Sequence, residues 1–147
     1  MNDIMVKFIR KYKIEELSIY ETDFWVWSLR PNQSTLGSGI LSLKRECGIF
    51  SELKQEEYCD LNNIIKVIEG TLKQLFNYDI MNYLMLMMVD KQVHYHIIPR
   101  YEKKVELFGE IWVDYTWPGL PNLSGDVLDK EKLHKIFNYI KNNLKTW

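Results

Sequence analysis

A single change of periodicity in the middle of the chain limits its fold more than any other feature. From Glu56 to Phe76, the residues Leu61, Ile64, Ile65, Ile68, Leu72, Leu75 and Phe76 recur at three- and four-residue steps. That spacing lays one apolar stripe along a helix. No Ser, Thr, Asp or Asn stands just before it as a cap, and "FNYD" closes it. The stretches on both sides have a different texture, with β-branched and aromatic residues in short runs. A lone stripe must bury itself against something, and here the available partner is a sheet built from strands before and after it. The expectation is an α+β fold with an antiparallel sheet of about five strands, one covering helix and a C-terminal helix.

The strand runs can be placed. "LSIYETDFWVWSLR" (Leu17 to Arg30) reads as one or two strands broken near Glu21, Thr22 and Asp23, and "RPNQSTLGSG" as a loop. "GILSLKRE" alternates Ile40, Ser42 and Lys44 against Leu41, Leu43 and Arg45, which suits a half-exposed strand. After the helix, two apolar runs flank Asp90-Lys91, a polar break that reads as a two-residue hairpin connection without the usual Gly. One more strand is expected around Val105 to Val113, then a Pro/Gly-rich loop. A second helix is expected from about Lys130 to Leu144, with Leu133, Ile136, Phe137, Ile140 and Leu144 on its stripe and Asp129 as its N-cap. The opening "KFIRKYKIEEL" suits a short helix or an irregular arm.

Nothing in the chain marks a linker, so residues 1–147 are read as one domain. Hydrophobic residues make up 46% and charged residues 27%, a globular balance. The net charge of −1, with no long block of like charge, argues against nucleic acid as a partner. The longest apolar run, Tyr83 to Val89, is too short to cross a bilayer, and the N-terminus lacks the apolar core of a signal peptide. Cys47 and Cys59 have no CxxC spacing and read as two reduced thiols, as in a cytoplasmic protein.

The chemistry concentrates in "VDKQVHYHIIPRY", which holds two of the three histidines. On a strand, Gln92, His94 and His96 share one face at about 7 Å spacing, while Val93, Tyr95 and Ile97 share the other. Two imidazoles and an amide so placed could grip one phosphate. Pro99 ends the strand or puts it on an edge, and Arg100 brings a cation to the same rim. Three other readings compete. HxH also occurs at zinc sites, but Asp90 is the one close carboxylate and no third Cys or His is near, so no metal is assigned. A purely structural strand would have to satisfy three polar side chains in a row. His134, between Lys132 and Lys135 on the helical pattern, reads as an ordinary surface histidine.

At these residues the sequence resembles the histidine-triad family of nucleotide hydrolases and transferases, whose motif is His-φ-His-φ-His-φ-φ with φ apolar. Pro-Arg often follows it in the branch acting on dinucleoside polyphosphates such as diadenosine tetraphosphate. "QVHYHIIPR" matches from Gln92 to Arg100 at every position but the first. "FWVWSLRP", "TLGSGILSLKRE", "LKQEE" and "FNYDIMNYLMLMMVD" extend the likeness in order and spacing from about Ile19 to Pro121.

The resemblance implies a nucleotide phosphohydrolase or nucleotidyl transferase that works without a cofactor. His94 would attack the α-phosphate, and His96 would hold the charge building on phosphate oxygen. Gln92 replaces the family's first histidine, and an amide there cannot be protonated. The loop before the motif is also shorter than in many members. Arg30 and Ser28 fall where relatives contact nucleotide. Arg100, in the family's Pro-Arg position, reads as a substrate contact or a solvated strand-end charge. Asn82, opening the strand before the motif, could reach ribose or phosphate or cap the backbone. A homodimer is the expected assembly. The alternative on the same fold is a nucleotide-binding regulatory protein whose chemistry is weakened by Gln92. Trp112 and Trp117 suit either a purine base or packing against the sheet. Met85, Met87 and Met88 read as core filling.

Overall fold

The computed structural model describes residues 3–146. The long stripe forms helix α2 (Gln55–Phe76), and the strand runs form β1 (Ser18–Glu21), β2 (Trp25–Leu29), β3 (Gly39–Leu43), β4 (Ile80–Leu84) and β5 (His94–Arg100). These make one five-stranded sheet in the order β1-β2-β3-β5-β4, every pair antiparallel. The α+β expectation and its five-stranded antiparallel sheet are borne out.

Both ends of α2 are set by local chemistry. The Glu57 carboxylate accepts from Lys54 N–H at 2.7 Å and from Arg45 at 2.7 and 2.8 Å, supplying the cap that the sequence lacks just upstream. Asn77, at φ 49°, takes the left-handed conformation that stops the helix, and its N–H donates to the Lys73 carbonyl at 3.0 Å.

The stripe of α2 covers one face of the sheet. Ile64, Val67, Ile68, Leu72 and Phe76 meet Trp25, Trp27, Leu29, Leu41, Leu43 and Ile97 in the main core. Helix α3 (Lys130–Lys141) adds Leu133, Ile136 and Ile140 to that core, with the Asp129 carboxylate capping its first turn through Lys132 N–H. It ends before the expected Leu144, in a turn at Asn142 and Asn143.

The structure corrects four details. Residues 105–113 do not form one strand but two, β6 (Val105–Leu107) and β7 (Glu110–Trp112). They turn at Phe108 and Gly109, both at positive φ, and form a separate two-stranded sheet. Asp90-Lys91 is not a two-residue hairpin turn: β4 and β5 do pair, but through the longer loop 85–93. Within that loop Met85 and Met87 pack on the core, whereas Met88 is 82% exposed and fills nothing. Finally, β3 is buried throughout rather than half-exposed, because the opening residues form helix α1 (Asp3–Tyr12) on the face opposite α2. Phe8 of α1, with Ile14, Val26 and Ile40, makes a second small core there.

Candidate active site

Strand register decides which side chains meet α1. Ser42 lies opposite His94, and Ile40 lies between His96 on one side and Ser28 on the other. Side-chain alternation then puts Val26, Ser28, Ile40, Ser42, His94 and His96 on one face. Over this face the Phe8 ring lies 4.9 Å from the His94 ring. The Tyr12 ring lies 6.2 Å from that of His94 and 5.9 Å from that of His96. The two imidazoles are 5.1 Å apart, nearly perpendicular, and are left 1% and 6% exposed.

His94 is held in one state by its backbone. Its Nδ1–H donates to the Gln92 carbonyl at 2.5 Å, which leaves the lone pair on Nε2. Burial pulls its pKa below the ordinary imidazole value, the Gln92 carbonyl opposes that, and Asp90 and Lys11 add smaller contributions of opposite sign. At neutral pH the ring is a neutral base with an available nitrogen. His96 is pushed down further, to about 4, by burial first and then by the positive charge of Arg30 and of His94.

Gln92 departs from the expected row. It precedes β5, and its fully buried side chain turns to the strand connection after β3. Its Oε1 accepts from Cys47 N–H at 2.9 Å, and its Nε2 donates to the Leu43 and Arg45 carbonyls at 3.0 and 2.8 Å. Both amide protons and the amide oxygen are in use, so the side chain cannot also grip phosphate. What Gln92 gives His94 is its main-chain carbonyl.

The four expected substrate contacts divide into two pairs. Arg30 is 7% exposed, and its described partners are two backbone carbonyls, Leu123 O at 2.7 Å and Asn32 O at 3.4 Å. Among the described residues three buried side-chain nitrogens lack a hydrogen-bond partner: Trp27 Nε1, Arg30 Nε and His96 Nδ1. Two of the three belong to the histidine face. Ser28 is fully buried, its hydroxyl reaching the Ile40 carbonyl only at the 3.5 Å limit.

Arg100 and Asn82 belong elsewhere. The Arg100 guanidinium donates to both Asp114 carboxylate oxygens at 2.7 and 3.2 Å, to Asn82 Oδ1 at 3.0 Å, to Gly119 O at 2.9 Å and to Thr116 Oγ1 at 3.2 Å. All five of its N–H groups are engaged by protein acceptors, so Arg100 is neither a solvated strand-end charge nor a cation with an idle donor. Burial works to raise the Asp114 carboxyl, but Arg100 and the Tyr101 N–H hold it below the usual carboxylate value. Trp117 lines a groove beside Asn82 and Arg100, while Trp112 packs on the main core. His134 is on the surface, 3.0 Å from Glu16, and both cysteines are free thiols.

Sequence reasoning missed Lys11 and Tyr12 and gave Asp90 a different role. Lys11 Nζ and the Tyr12 hydroxyl both donate to Asp90 Oδ2, at 2.7 and 3.0 Å. The three-four spacing of Met5, Phe8, Ile9 and Tyr12 was the available signal for α1. No cluster of three His, Cys, Asp or Glu able to hold a metal exists among the described residues, nor does any helix long and apolar enough to cross a membrane.

No protein-family model and no curated protein matches the chain. Solved structures do. A histidine triad protein from Sinorhizobium meliloti aligns over 90% of this chain and 93% of its own, at 20% identity and a TM-score of 0.69. A Hit-like protein involved in cell-cycle regulation from Bartonella henselae aligns over 97% and 96%, at 20% identity and 0.69. Diadenosine triphosphate hydrolase from Plasmodium falciparum aligns over 95% of both chains, at 17% identity and 0.61. The chain has the histidine-triad fold.

Proposed function

We propose that this chain is a nucleotide phosphohydrolase or nucleotidyl transferase that acts at the α-phosphate through a nucleotidyl-His94 intermediate. Dinucleoside polyphosphates are its favoured substrates. The observation that carries this reading is the hydrogen bond from His94 Nδ1–H to Gln92 O, which aims a neutral Nε2 lone pair away from the backbone. That a structural neighbour is a diadenosine triphosphate hydrolase supports the substrate class.

In the first step Nε2 forms a bond to α-phosphorus while the bond to the leaving phosphate oxygen breaks, its electron pair departing with that oxygen. In the second, water or another hydroxyl acceptor attacks phosphorus and releases its proton to solvent while the P–N bond breaks, returning the pair to Nε2. His96 serves as the neighbouring hydrogen-bond donor to phosphate oxygen. Arg30, a buried cation with an unpartnered Nε, supplies positive charge, and Ser28 lines the same face. The reaction calls for no cofactor. Activity in the cytoplasm as a homodimer completes the proposal.

The test is to mix the protein with diadenosine tetraphosphate, quench in milliseconds to seconds, and look by mass spectrometry for an adenylyl group on His94. His94→Ala is expected to lower turnover on the order of 10³-fold or more while leaving nucleotide affinity within a few-fold. A second reading, a nucleotide-binding regulator, is favoured by the burial of both imidazoles beneath Phe8 and Tyr12. Tight binding with no adduct and no turnover would select it.

A further inference from the structure

The proposed reaction uses the histidine strand and leaves one polar cluster beside it without a role. Two donors on the last turn of α1 converge on a single oxygen. Lys11 Nζ and the Tyr12 hydroxyl both reach Asp90 Oδ2, although Asp90 is 79 and 78 residues away in sequence. The Tyr12 ring that carries one donor lies within about 6 Å of both imidazole rings, and the charges of Lys11 and Asp90 are felt at both. An anionic oxygen held by an ammonium and a phenol beside two imidazoles is what a phosphate would also make there.

We infer that Lys11 and Tyr12 are phosphate-binding residues of the site, and that Asp90 masks them as an internal carboxylate that an entering substrate phosphate displaces. This rests on the nucleotide reading given above and assigns that site two further ligands and one competitor.

The exchange is physically feasible. The Lys11 side chain is 48% exposed and that of Asp90 15%, so solvent reaches the pair and screens part of its attraction. The residues before Asp90 in its loop, Met88 and Val89, are 82% and 80% exposed and anchor it with little buried surface. A polyphosphate brings more charge and more acceptor oxygens than one carboxylate, so it wins the two donors when present. The exchange also concerns access. The helix that carries Lys11 and Tyr12 carries Phe8, which covers His94, and Asp90 ties the end of that helix to the loop leading into the histidine strand.

A mere clasp and a mask part at the uncharged donor. Asp90→Asn and Lys11→Met alter the charge of the site, so they shift anion affinity oppositely on either account. Tyr12→Phe alters no charge. If Asp90 only clasps α1, Tyr12→Phe loosens the same contact as Asp90→Asn and shifts affinity the same way, whereas if Asp90 competes with phosphate the two variants move oppositely.

The experiment titrates inorganic pyrophosphate and AMP calorimetrically into the full chain and three variants, with thermal melts to confirm folding. Asp90→Asn is expected to tighten both probes and Lys11→Met to weaken them, each by roughly fivefold to tenfold, the scale of one solvent-screened hydrogen bond. Tyr12→Phe keeps the ring packing and is expected to weaken both probes several-fold. Asp90→Asn binding no tighter than the unmodified chain, or Tyr12→Phe shifting affinity in the same direction as Asp90→Asn, overturns the inference. If the His94 adduct nevertheless forms, the inference falls alone. If neither probe binds any of the proteins, it falls together with the nucleotide reading.

Discussion

Strand β5 carries His94 and His96 near one end and Arg100 at the other, and the two ends obey opposite rules. At the Arg100 end every donor is used: five guanidinium N–H groups meet Asp114, Asn82, Thr116 and the Gly119 carbonyl. At the histidine end buried nitrogens are left over, on His96 and on nearby Arg30. The full network holds the loop after β7 to the sheet. The incomplete one has capacity for a ligand, because a buried polar group without a partner costs free energy until something fills it. Two motif residues four apart thus sit in networks of opposite kind, one with every donor matched and one with a nitrogen left over.

The contrast can be broken first at its saturated end. Arg100→Ala leaves the Asp114 carboxylate buried without its counter-ion and should cost about 3–5 kcal/mol in a urea melt. Loss below 1 kcal/mol would mean that the network is not structural.

Acid sharpens the comparison next. The unfolded chain binds a proton at His96 near pH 6.5, whereas the folded chain does so only near about 4. Between those values the unfolded state holds more protons, so stability should fall as pH drops from 6.5 to about 4, by a few kcal/mol at most, and then level off for this group. His94 is shifted in the same direction. Urea midpoints measured across that range should drop more steeply for the unmodified chain than for His96→Asn. Equal slopes would remove His96 as the cause.

Gln92→His comes third. An imidazole cannot accept from Cys47 N–H while donating to two carbonyls, so at least one of three buried bonds is lost, at about 1–3 kcal/mol. The carbonyl that orients His94 is main chain and survives, so turnover should change less than about tenfold. A rate gain of a hundredfold with a new titration near neutral pH would show instead that the side chain takes part in proton transfer. Ser28→Ala should matter least, under about 1 kcal/mol, since its hydroxyl makes only a 3.5 Å contact. A larger loss would mean that the hydroxyl holds the face more firmly than that distance implies.

The sequence revealed what neighbouring residues encode. The stripe of α2, the Asp129 cap of α3 and the alternation that puts His94 and His96 on one face all follow from spacing along a few turns or residues. The split of β6 from β7 was hidden because Phe108-Gly109 sits inside a run that otherwise reads as strand. The Arg100 partners lie 14 to 19 residues away, on β4 and in the loop after β7, and the Asp90 partners 78 and 79 away, beyond any local pattern. Helix α1 was half visible. Its amphipathic spacing says that one side is buried, but not that the surface burying it is the histidine face.

Whether that face presents a nucleophile can be measured without any substrate. With histidine nitrogens labelled by ¹⁵N, long-range proton–nitrogen spectra at pH 7 report which ring atom carries the hydrogen. His94 should be neutral and protonated at Nδ1, with Nε2 at the shift of an unprotonated nitrogen, as its bond to the Gln92 carbonyl requires. A ring protonated at Nε2, or at both nitrogens, would leave no lone pair on Nε2 to attack phosphorus and would contradict the proposed chemistry.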